Sequence, residues 1–201
     1  MAPAAPDQQG RGARGDERKR QDFLDLLMPH YPVALAYAQS ISGSLMDGED
    51  LVSDAVLLAF SRFDQLRDRS LFKPWFFRIL LNRFKNLRSR SLLRPLTLVA
   101  EPTDSRYFWE ATARTSGDPA ELGYQLTLVK ELLARLKPRE RETVLLLGPA
   151  GFEPEEVARV QRTSKRAVIQ CAYRARKKLS KMMPEGALPL AGIPAEVRGD
   201  V

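Results

Sequence analysis

Apolar residues in the first part of the chain recur at steps of three and four, the spacing of one helix face. From Gln21 onward this face consists of Phe23, Leu24, Leu27, Val33, Ala34, Tyr37 and Ile41. Pro29 and Pro32 are expected to break or kink the stretch, because proline removes a helical hydrogen bond. The Ser42–Ser44 segment contains Gly43 and is expected to end it.

A second helix is predicted to begin with Asp47 as its N-cap, and Asp50 lies in its first turn. Its apolar face is Leu51, Val52, Ala55, Leu58 and Ala59, and the pattern ends near Phe63. A polar connection over 64–72 follows. Pro74 suits the first helical position, so a third helix is predicted over Pro74–Arg90.

Periodicity is weak over 95–119, with a possible short helix over 107–113, and resumes near Glu121. Four helices are predicted there: Glu121 to Leu136, Pro138 to Leu147, a short one from Pro154, and a basic one that Ser164 caps and that runs to about Met182. Strand-like alternation is scarce, so the predicted fold class is all-α. We expect a disordered basic arm at 1–20, helical domains at 21–92 and 121–183, a linker at 93–120 and a flexible tail at 184–201.

The charge balance favours a polyanionic partner. The formal net charge is +7, and the abundant arginines suit phosphate and base contacts. Cys171 and His30 are the only residues of their kinds, which argues against a disulfide, a metal cluster or a histidine-dependent nucleophile. We therefore expect no cofactor, no metal and no enzymatic activity, with His30 in a structural role. Composition also predicts a cytoplasmic protein without a membrane-spanning segment.

The last two predicted helices have the layout of a helix-turn-helix, in which a short helix supports a longer one in the major groove. Gln161–Thr163 forms the predicted tight turn. The candidate DNA-binding residues are Ser164, Lys165, Arg166, Gln170, Tyr173, Arg174 and Lys177, while Ala167, Val168, Ala172 and Ala175 are expected to face inward. An ordinary three-helix bundle with a basic surface is the alternative.

This block resembles the fourth conserved region of bacterial RNA polymerase sigma factors of the extracytoplasmic-function group. Residues 155–160, EEVARV, are similar to the "EEIAEI" segment of that family. Residues 173–179, YRARKKL, are similar to its "HRARKRL" ending, and 136–142 match its "LPxRxRE" opening. The resemblance implies recognition of the minus-thirty-five promoter element and contact with the beta flap of polymerase.

Residues 47–55, DGEDLVSDA, resemble the "DAEDLVQDxF" helix of the second conserved region. The resemblance implies that this helix docks on the beta-prime clamp helices of core RNA polymerase. Acidic side chains around an apolar seam suit a basic partner surface. The candidate polymerase-binding residues are Asp47, Glu49, Asp50, Leu51, Asp54, Leu57 and Leu58.

Residues 69–82, RSLFKPWFFRILLN, resemble "GxSSFxTWLxRIAxN", which in the family opens the minus-ten element. Aromatic rings stack on unpaired bases, cations hold phosphate, and asparagine reads base edges. The implied DNA-binding residues are Arg69, Ser70, Phe72, Lys73, Arg78, Asn82, Arg83, Lys85 and Asn86. Trp75 and Phe77 are assigned to the core instead.

The recognition helix departs from the family pattern at Ile169, Gln170 and Cys171, and Arg162 stands where glycine is usual. The upstream promoter sequence therefore stays open. The leading hypothesis is a sigma factor that binds core polymerase and promoter DNA and that an anti-sigma factor regulates. The alternatives are a helix-turn-helix regulator, a degenerate sigma-like adaptor and an enzyme acting on nucleic acid.

Overall fold

The computed structural model describes residues 8–90, 128–129 and 131–182, and all its regular elements are helices within these ranges. Within these ranges the α-helices are α1 Gln8–Leu27, α2 Tyr31–Ser42, α3 Leu45–Ser61, α4 Phe72–Arg90, α5 Pro138–Leu147, α6 Pro154–Gln161 and α7 Lys165–Met182. Residues 128, 129 and 131–134 are also helical. The prediction of an all-α fold is confirmed.

The disordered arm predicted at 1–20 is wrong from Gln8 onward, because α1 already begins there. This stretch is rich in Arg, Gln, Glu and Lys, which lose little rotamer freedom in a helix. The Lys19 ammonium lies 2.5 Å from the Asp64 carboxylate, and 5.4 Å from the centre of the Phe60 ring. These contacts tie the polar half of α1 to the module that Phe23 and Leu27 anchor. The remaining arm, the predicted linker and the predicted tail lie outside the described residues.

The break between the first two helices follows the prolines, as predicted. α1 ends at Leu27, Met28–His30 forms one turn of 3-10 helix, and Pro32 lies in the first turn of α2. Gly43 ends α2 with a φ of 80°, a left-handed conformation that glycine adopts without the steric cost of a Cβ. His30 is half-buried and stacks 6.4 Å from Phe72.

Two predicted helix starts are wrong by two or three residues. Ser44, not Asp47, caps α3, and its hydroxyl accepts a hydrogen bond from the Asp47 amide at 3.3 Å. α4 begins at Phe72 rather than Pro74, directly after a 3-10 turn over Arg69–Leu71. Pro74 still lies in the first turn of α4, where a missing amide proton costs no helical hydrogen bond.

An aromatic core holds α1, α3 and α4 together in the first module, which we define as residues 15–90. The Phe23 ring meets the rings of Phe60, Phe63 and Phe72 edge-on at 5.2–5.7 Å. The α2–α3 pair packs closely at Gly48, where an added Cβ would lie 2.6–2.8 Å from Gln39 atoms. Side-chain bulk at this point would force the two helices apart.

The second module, residues 131–182, contains the predicted helix-turn-helix. α5 starts at Pro138 and α6 at Pro154, as the sequence predicts. The Ser164 hydroxyl accepts a hydrogen bond from the Ala167 amide at 3.2 Å and so caps α7. Val168, Ala172 and Ala175 are buried and Ala167 is half-buried, which fits the predicted inward face.

Candidate nucleic-acid interface

The second half of α4 presents a polar face on the first module. Asn82, Lys85 and Asn86 are all exposed, and Asn82 and Asn86 share one side of the helix because they are four residues apart. The opposite side carries Phe76, Phe77 and Leu80, which are fully buried. The aromatic core therefore fixes the direction in which these amide and ammonium groups point.

Phe72 is not available to stack on a base, which corrects its prediction as a DNA-binding residue. Its side chain is 1% exposed, and its ring stacks on Phe76 at 5.9 Å. The spacing along α4 places it on the core side. The assignment of Phe77 to the core agrees with its burial, and Trp75 is half-buried beside Phe72 at 5.8 Å.

Two predicted DNA-binding arginines contact other groups of the first module. The Arg69 guanidinium lies 3.6 Å above the Phe63 ring and donates a hydrogen bond to the Phe63 carbonyl at 3.1 Å. The Arg83 guanidinium donates two hydrogen bonds to the Asp54 carboxylate, at 3.0 and 2.6 Å. Ser70 is exposed and Arg78 is half-buried. A phosphate would have to compete with protein partners for Arg69 and Arg83.

The candidate polymerase-binding surface runs along α3. Asp47, Glu49, Asp50 and Leu57 are exposed, with 70% of Leu57 open to solvent, and Leu58 is half-buried. Leu51 is 1% exposed, so its prediction as a contact residue is wrong: it lies on the core side of the helix.

Asp54 and Met46 change this candidate surface further. Asp54 is paired with Arg83, so it joins the polymerase-binding candidates to the DNA-binding candidates. The prediction missed Met46, which is 76% exposed at the start of α3. An apolar residue directly before an acidic run is the signal that would have found it.

The recognition helix α7 keeps most of its candidate residues accessible. Exposed are Lys165, Arg166, Gln170, Tyr173, Arg174 and Lys177. Lys165 forms an ion pair with Glu155 of α6, and Ser164 serves as the cap. Of the sequence departures, Cys171 is buried and Ile169 is half-buried. These departures therefore affect how α7 packs against the module as well as which residues lie on its exposed face.

A buried carboxylate fixes the far end of α7. Glu140 accepts a hydrogen bond from the Lys137 amide at 3.0 Å, and its two oxygens lie 2.7 and 2.8 Å from the Lys178 ammonium. Burial acts to raise the pKa of Glu140, but the hydrogen bonds from Lys178 and from Lys137 outweigh it and lower the pKa below its ordinary value. The ionised pair holds α7 against α5.

A second polar contact holds the middle of α7 against its neighbouring helices. The Thr143 hydroxyl of α5 accepts a hydrogen bond from the side-chain amide of Gln161 at 3.1 Å. The same hydroxyl oxygen lies 3.5 Å from the Cys171 sulfur. Thr143 is fully buried, so this contact lies between the three helices of the helix-turn-helix block. Together with the Glu140–Lys178 pair, it holds α7 against α5 and α6.

The two modules also touch each other, which sequence reasoning missed. Phe152, in the loop before α6, meets the Phe77 ring edge-on at 4.7 Å. The Lys73 ammonium donates a hydrogen bond to the Gly151 carbonyl at 2.9 Å and lies 4.0 Å from the Phe152 ring centre. It is also 4.0 Å from Glu156. Lys73, a predicted DNA-binding residue, is thus engaged by the second module.

A charged cluster forms the second half of this contact. The Lys85 ammonium lies 3.1 Å from the carboxylate of Glu142, whose side chain is 6% exposed. That carboxylate oxygen and the Tyr37 hydroxyl are buried without a well-aligned hydrogen bond among the described residues. Burial raises the pKa of Tyr37, and the Glu142 charge raises it further. The signal in the sequence is the run of apolar and small residues over 148–152, GPAGF, in a loop between two helices.

Neither a membrane span nor a metal cluster stands out in the part of the chain that the structure describes. No described helix is long and apolar enough to cross a bilayer. The described residues likewise hold no group of three or more His, Cys, Asp or Glu side chains placed to bind a metal ion.

Residues 26–92 match the family model described as Sigma-70 region 2. The chain is 30% identical over 175 residues to the RNA polymerase sigma factor NccH of Alcaligenes xylosoxydans xylosoxydans, covering 86% of this chain and 91% of NccH. It is 27% identical to the ECF RNA polymerase sigma factor SigG of Mycobacterium tuberculosis, covering 88% of this chain but about half, 52%, of SigG.

Two solved structures share the fold. The sigma factor RpoE of Bartonella quintana, in complex with the anti-sigma factor NepR, has a TM-score of 0.61 and 27% identity, over 81% of this chain and 96% of RpoE. CnrH in complex with the cytosolic domain of CnrY has a TM-score of 0.59 and 25% identity, over 85% of this chain and 92% of CnrH. From these matches, the chain belongs to the RNA polymerase sigma factors of the extracytoplasmic-function group.

Proposed function

We propose that this sigma factor opens the minus-ten element with the exposed face of α4. The observation that carries the proposal is the placement of Asn82, Lys85 and Asn86 on one side of a helix whose other side is fixed in an aromatic core. Amides at fixed positions read the edges of unpaired bases, and ammonium groups hold phosphate. Arg69, Ser70 and Arg78 extend this face.

α3 is the proposed docking helix for the beta-prime clamp helices of core RNA polymerase. Asp47, Glu49 and Asp50 are exposed on α3, as are the apolar side chains of Met46 and Leu57. An acidic rim speeds encounter with a basic partner, while the apolar centre supplies buried area. The Arg83–Asp54 pair lies between this surface and the α4 face.

The second module is the proposed anchor on the minus-thirty-five element and on the beta flap. α7 carries Arg166, Gln170, Tyr173 and Arg174 on its exposed face, and its N-terminal residues, which Ser164 caps, are exposed too. A helix of this kind fits the major groove. Ile169 and Cys171 depart from the family pattern and affect how α7 packs. We therefore expect α7 to prefer a DNA sequence that differs from the family's usual one.

Polymerase supplies the chemistry of transcription, and in our proposal this chain contributes binding and strand separation without covalent catalysis. We place it in the cytoplasm, where polymerase works, and at residues 21–92 and 121–183 we place its two functional domains. The solved relative RpoE binds the anti-sigma factor NepR. We propose a protein of that class as the regulator of this chain.

Run-off transcription with core polymerase on a promoter library tests the proposal. The wild-type chain is expected to direct transcription from a defined subset of promoters. Asn82→Ala and Asn86→Ala are expected to lower open-complex formation about tenfold, the loss of roughly one base contact, with little change in core binding. Gln65→Ala, an exposed change outside the α4 face, is the matched control.

Two results would contradict the assignment. A wild-type chain that binds core polymerase without directing transcription would favour the sigma-like adaptor. Equal loss of core binding and strand opening in the asparagine variants would place these residues in folding or docking rather than in base reading.

A further inference from the structure

The bend between α6 and α7 contains a residue with an unusual backbone conformation. The Thr163 amide donates a hydrogen bond to the Ala158 carbonyl at 2.9 Å, and the Arg162 amide donates to the same carbonyl. Hydrogen bonds of this pattern end a helix through one left-handed residue, which here is Arg162 with a φ of 52°. Glycine is the usual residue in that place, because a Cβ is crowded in the left-handed conformation. The bend therefore imposes a backbone strain on arginine that glycine would avoid.

Contacts within the described part of the chain do not account for an arginine at this strained position. The Arg162 side chain is exposed, and among the described residues its guanidinium forms no ion pair. Two lysines of α7 differ in this respect, since Lys165 pairs with Glu155 and Lys178 pairs with Glu140. A strained residue that an internal contact does not hold is typical of a position that binds a ligand.

Arg162 lies in the part of a helix-turn-helix that approaches the DNA backbone. The first helix of this motif crosses the backbone and the N-terminal residues of the second enter the major groove, so the turn between them lies at the edge of the groove. Arg162 precedes Lys165 and Arg166, which are both exposed at the start of α7. Lys165 already has Glu155 as its partner. Arg162 therefore adds a cation at this edge, and a guanidinium can bind two phosphate oxygens at once.

We propose that Arg162 binds a backbone phosphate and so holds α7 on duplex DNA from the turn. The proposal rests on the proposed function of the second module as a DNA anchor. A phosphate contact does not depend on base sequence, so it fixes the position of α7 whichever bases the exposed face prefers. One neutralised phosphate releases about 0.9 counterion, which corresponds to about fivefold in affinity at roughly 0.15 M salt. The strained turn thus lowers the stability of the free module and raises its affinity for DNA.

Fluorescence anisotropy on the full chain tests the contact, with a fluorescein-labelled duplex of about 30 base pairs and mixed sequence in roughly 50 to 300 mM sodium chloride. Arg162→Gly and Arg162→Asn remove the charge, and both new side chains tolerate the left-handed conformation. Each is expected to bind about fivefold more weakly at roughly 0.15 M salt and to lower the slope of log Kd against log salt by about 0.9. Arg162→Lys keeps the charge and is expected to keep the slope.

The melting temperature of the same variants separates a DNA contact from a structural role. Arg162→Gly is expected to raise the melting temperature and yet weaken DNA binding, because glycine relieves the strain of the turn. A residue that only shaped the turn would move stability and affinity in the same direction. Arg62→Asn is the matched control, since Arg62 is exposed and directly follows α3 but has an ordinary φ of −107°. It removes the same charge from the first module and is expected to leave the slope unchanged.

An unchanged slope in both Arg162→Gly and Arg162→Asn would overturn the proposal. An equal fall of the slope in Arg62→Asn would overturn it too, because net charge alone would then explain the loss. Arg174→Ala on the same duplex decides the anchor function separately. If Arg174→Ala weakens binding and the Arg162 variants do not, only the phosphate contact is lost. If neither residue affects binding, the second module does not anchor the chain on duplex DNA.

Discussion

The two modules present their candidate DNA-binding residues in opposite ways. In the first module, Arg69, Lys73, Arg83 and Lys85 each contact a protein group, and Phe72 lies in the core. In the second, α7 leaves Arg166, Gln170, Tyr173, Arg174 and Lys177 exposed. The first module therefore has to give up internal contacts to bind DNA, whereas the second offers an accessible surface.

Sequence similarity to the family does not reflect this difference in how accessible the candidate residues are. The family model matches residues 26–92, whereas the recognition helix carries departures at Ile169 and Cys171. Yet the module with the closer sequence match has the more engaged residues. Sequence patterns record which side chains a surface requires, and neighbouring contacts decide whether those side chains are available at a given moment. Single substitutions in the two modules separate these two properties.

Phe72→Ala tests the core assignment in the first module and should have the largest effect. Removing a fully buried phenyl ring that contacts Phe23, Phe63 and Phe76 should cost about 3–5 kcal/mol of unfolding free energy. Urea denaturation followed by circular dichroism measures it. Asn86→Ala, on the exposed side of α4, should stay within about 0.5 kcal/mol. Wild-type stability combined with lost DNA binding would return Phe72 to the DNA-binding set.

The Phe72 error shows what the sequence cannot supply. A motif that resembles a family segment specifies residue types, and an aromatic residue suits both base stacking and core packing. The helix face decides between them, and Phe72 lay outside the predicted helix Pro74–Arg90, so its face could be assigned only once α4 was found to begin at Phe72. Leu51 was assigned to the polymerase-binding surface by resemblance, although its spacing with Val52 and Ala55 already placed it on the apolar face of α3. Helix existence, by contrast, followed from apolar spacing and from prolines at 32, 138 and 154.

Glu140→Gln tests whether the accessible helix of the second module depends on a buried charge. The variant loses the ion pair with Lys178, whose side chain is 42% exposed, and the expected loss of unfolding free energy is about 1–2 kcal/mol after screening by water. Thermal denaturation of the second module measures this change. Lys177→Ala, on the exposed side of α7, is the matched control and should change stability by less than about 0.5 kcal/mol.

The pH dependence of Glu140 has a definite sign. Because folding lowers its pKa below the ordinary 4.5, the ionised form stabilises the fold above that value. This stabilisation is lost as the pH falls from 4.5 through the folded-state pKa. Glu140→Gln should flatten that part of the stability curve. An identical acid-side slope in wild type and variant would mean that the pair contributes nothing measurable.

Arg174→Ala and Arg83→Ala compare an accessible arginine with an engaged one. In duplex-DNA binding by the free chain, Arg174→Ala should cost about 1–2 kcal/mol, or roughly tenfold in affinity. Arg83→Ala should cost less than half of that, because Asp54 already occupies the guanidinium. Electrophoretic mobility shift measures Arg174→Ala on an upstream-element duplex and Arg83→Ala on a single-stranded minus-ten oligonucleotide. Equal losses would mean that the Arg83–Asp54 pair opens freely and that the contrast between modules is only apparent.

The contact between the modules was the part of the structure least accessible to sequence. Phe152 and Glu142 lie 75 and 57 residues after their partners Phe77 and Lys85, and Tyr37 lies 105 residues before Glu142, so no local pattern links them. Each satisfies an ordinary expectation alone: a loop aromatic, a helix acid, a buried tyrosine. Only the folded arrangement places Phe152 against Phe77 and Glu142 against Lys85.

Arg162→Gly tests the helix-turn-helix bend and carries the smallest effect. Arg162 directly follows α6 and has a φ of 52°. Among the described residues, it is the one other than glycine with a positive φ. Glycine adopts this conformation without strain but is more disordered when unfolded, so the net gain should be about 0.5 kcal/mol.

Gly151→Ala is the matched control, since Gly151 has a φ of 60° and open space around its missing Cβ. It should destabilise the module by about 1 kcal/mol through backbone strain alone. Differential scanning calorimetry would then show the two melting temperatures moving in opposite directions. If Arg162→Gly lowered the melting temperature instead, the arginine side chain would have to stabilise the turn by more than the strain of its backbone.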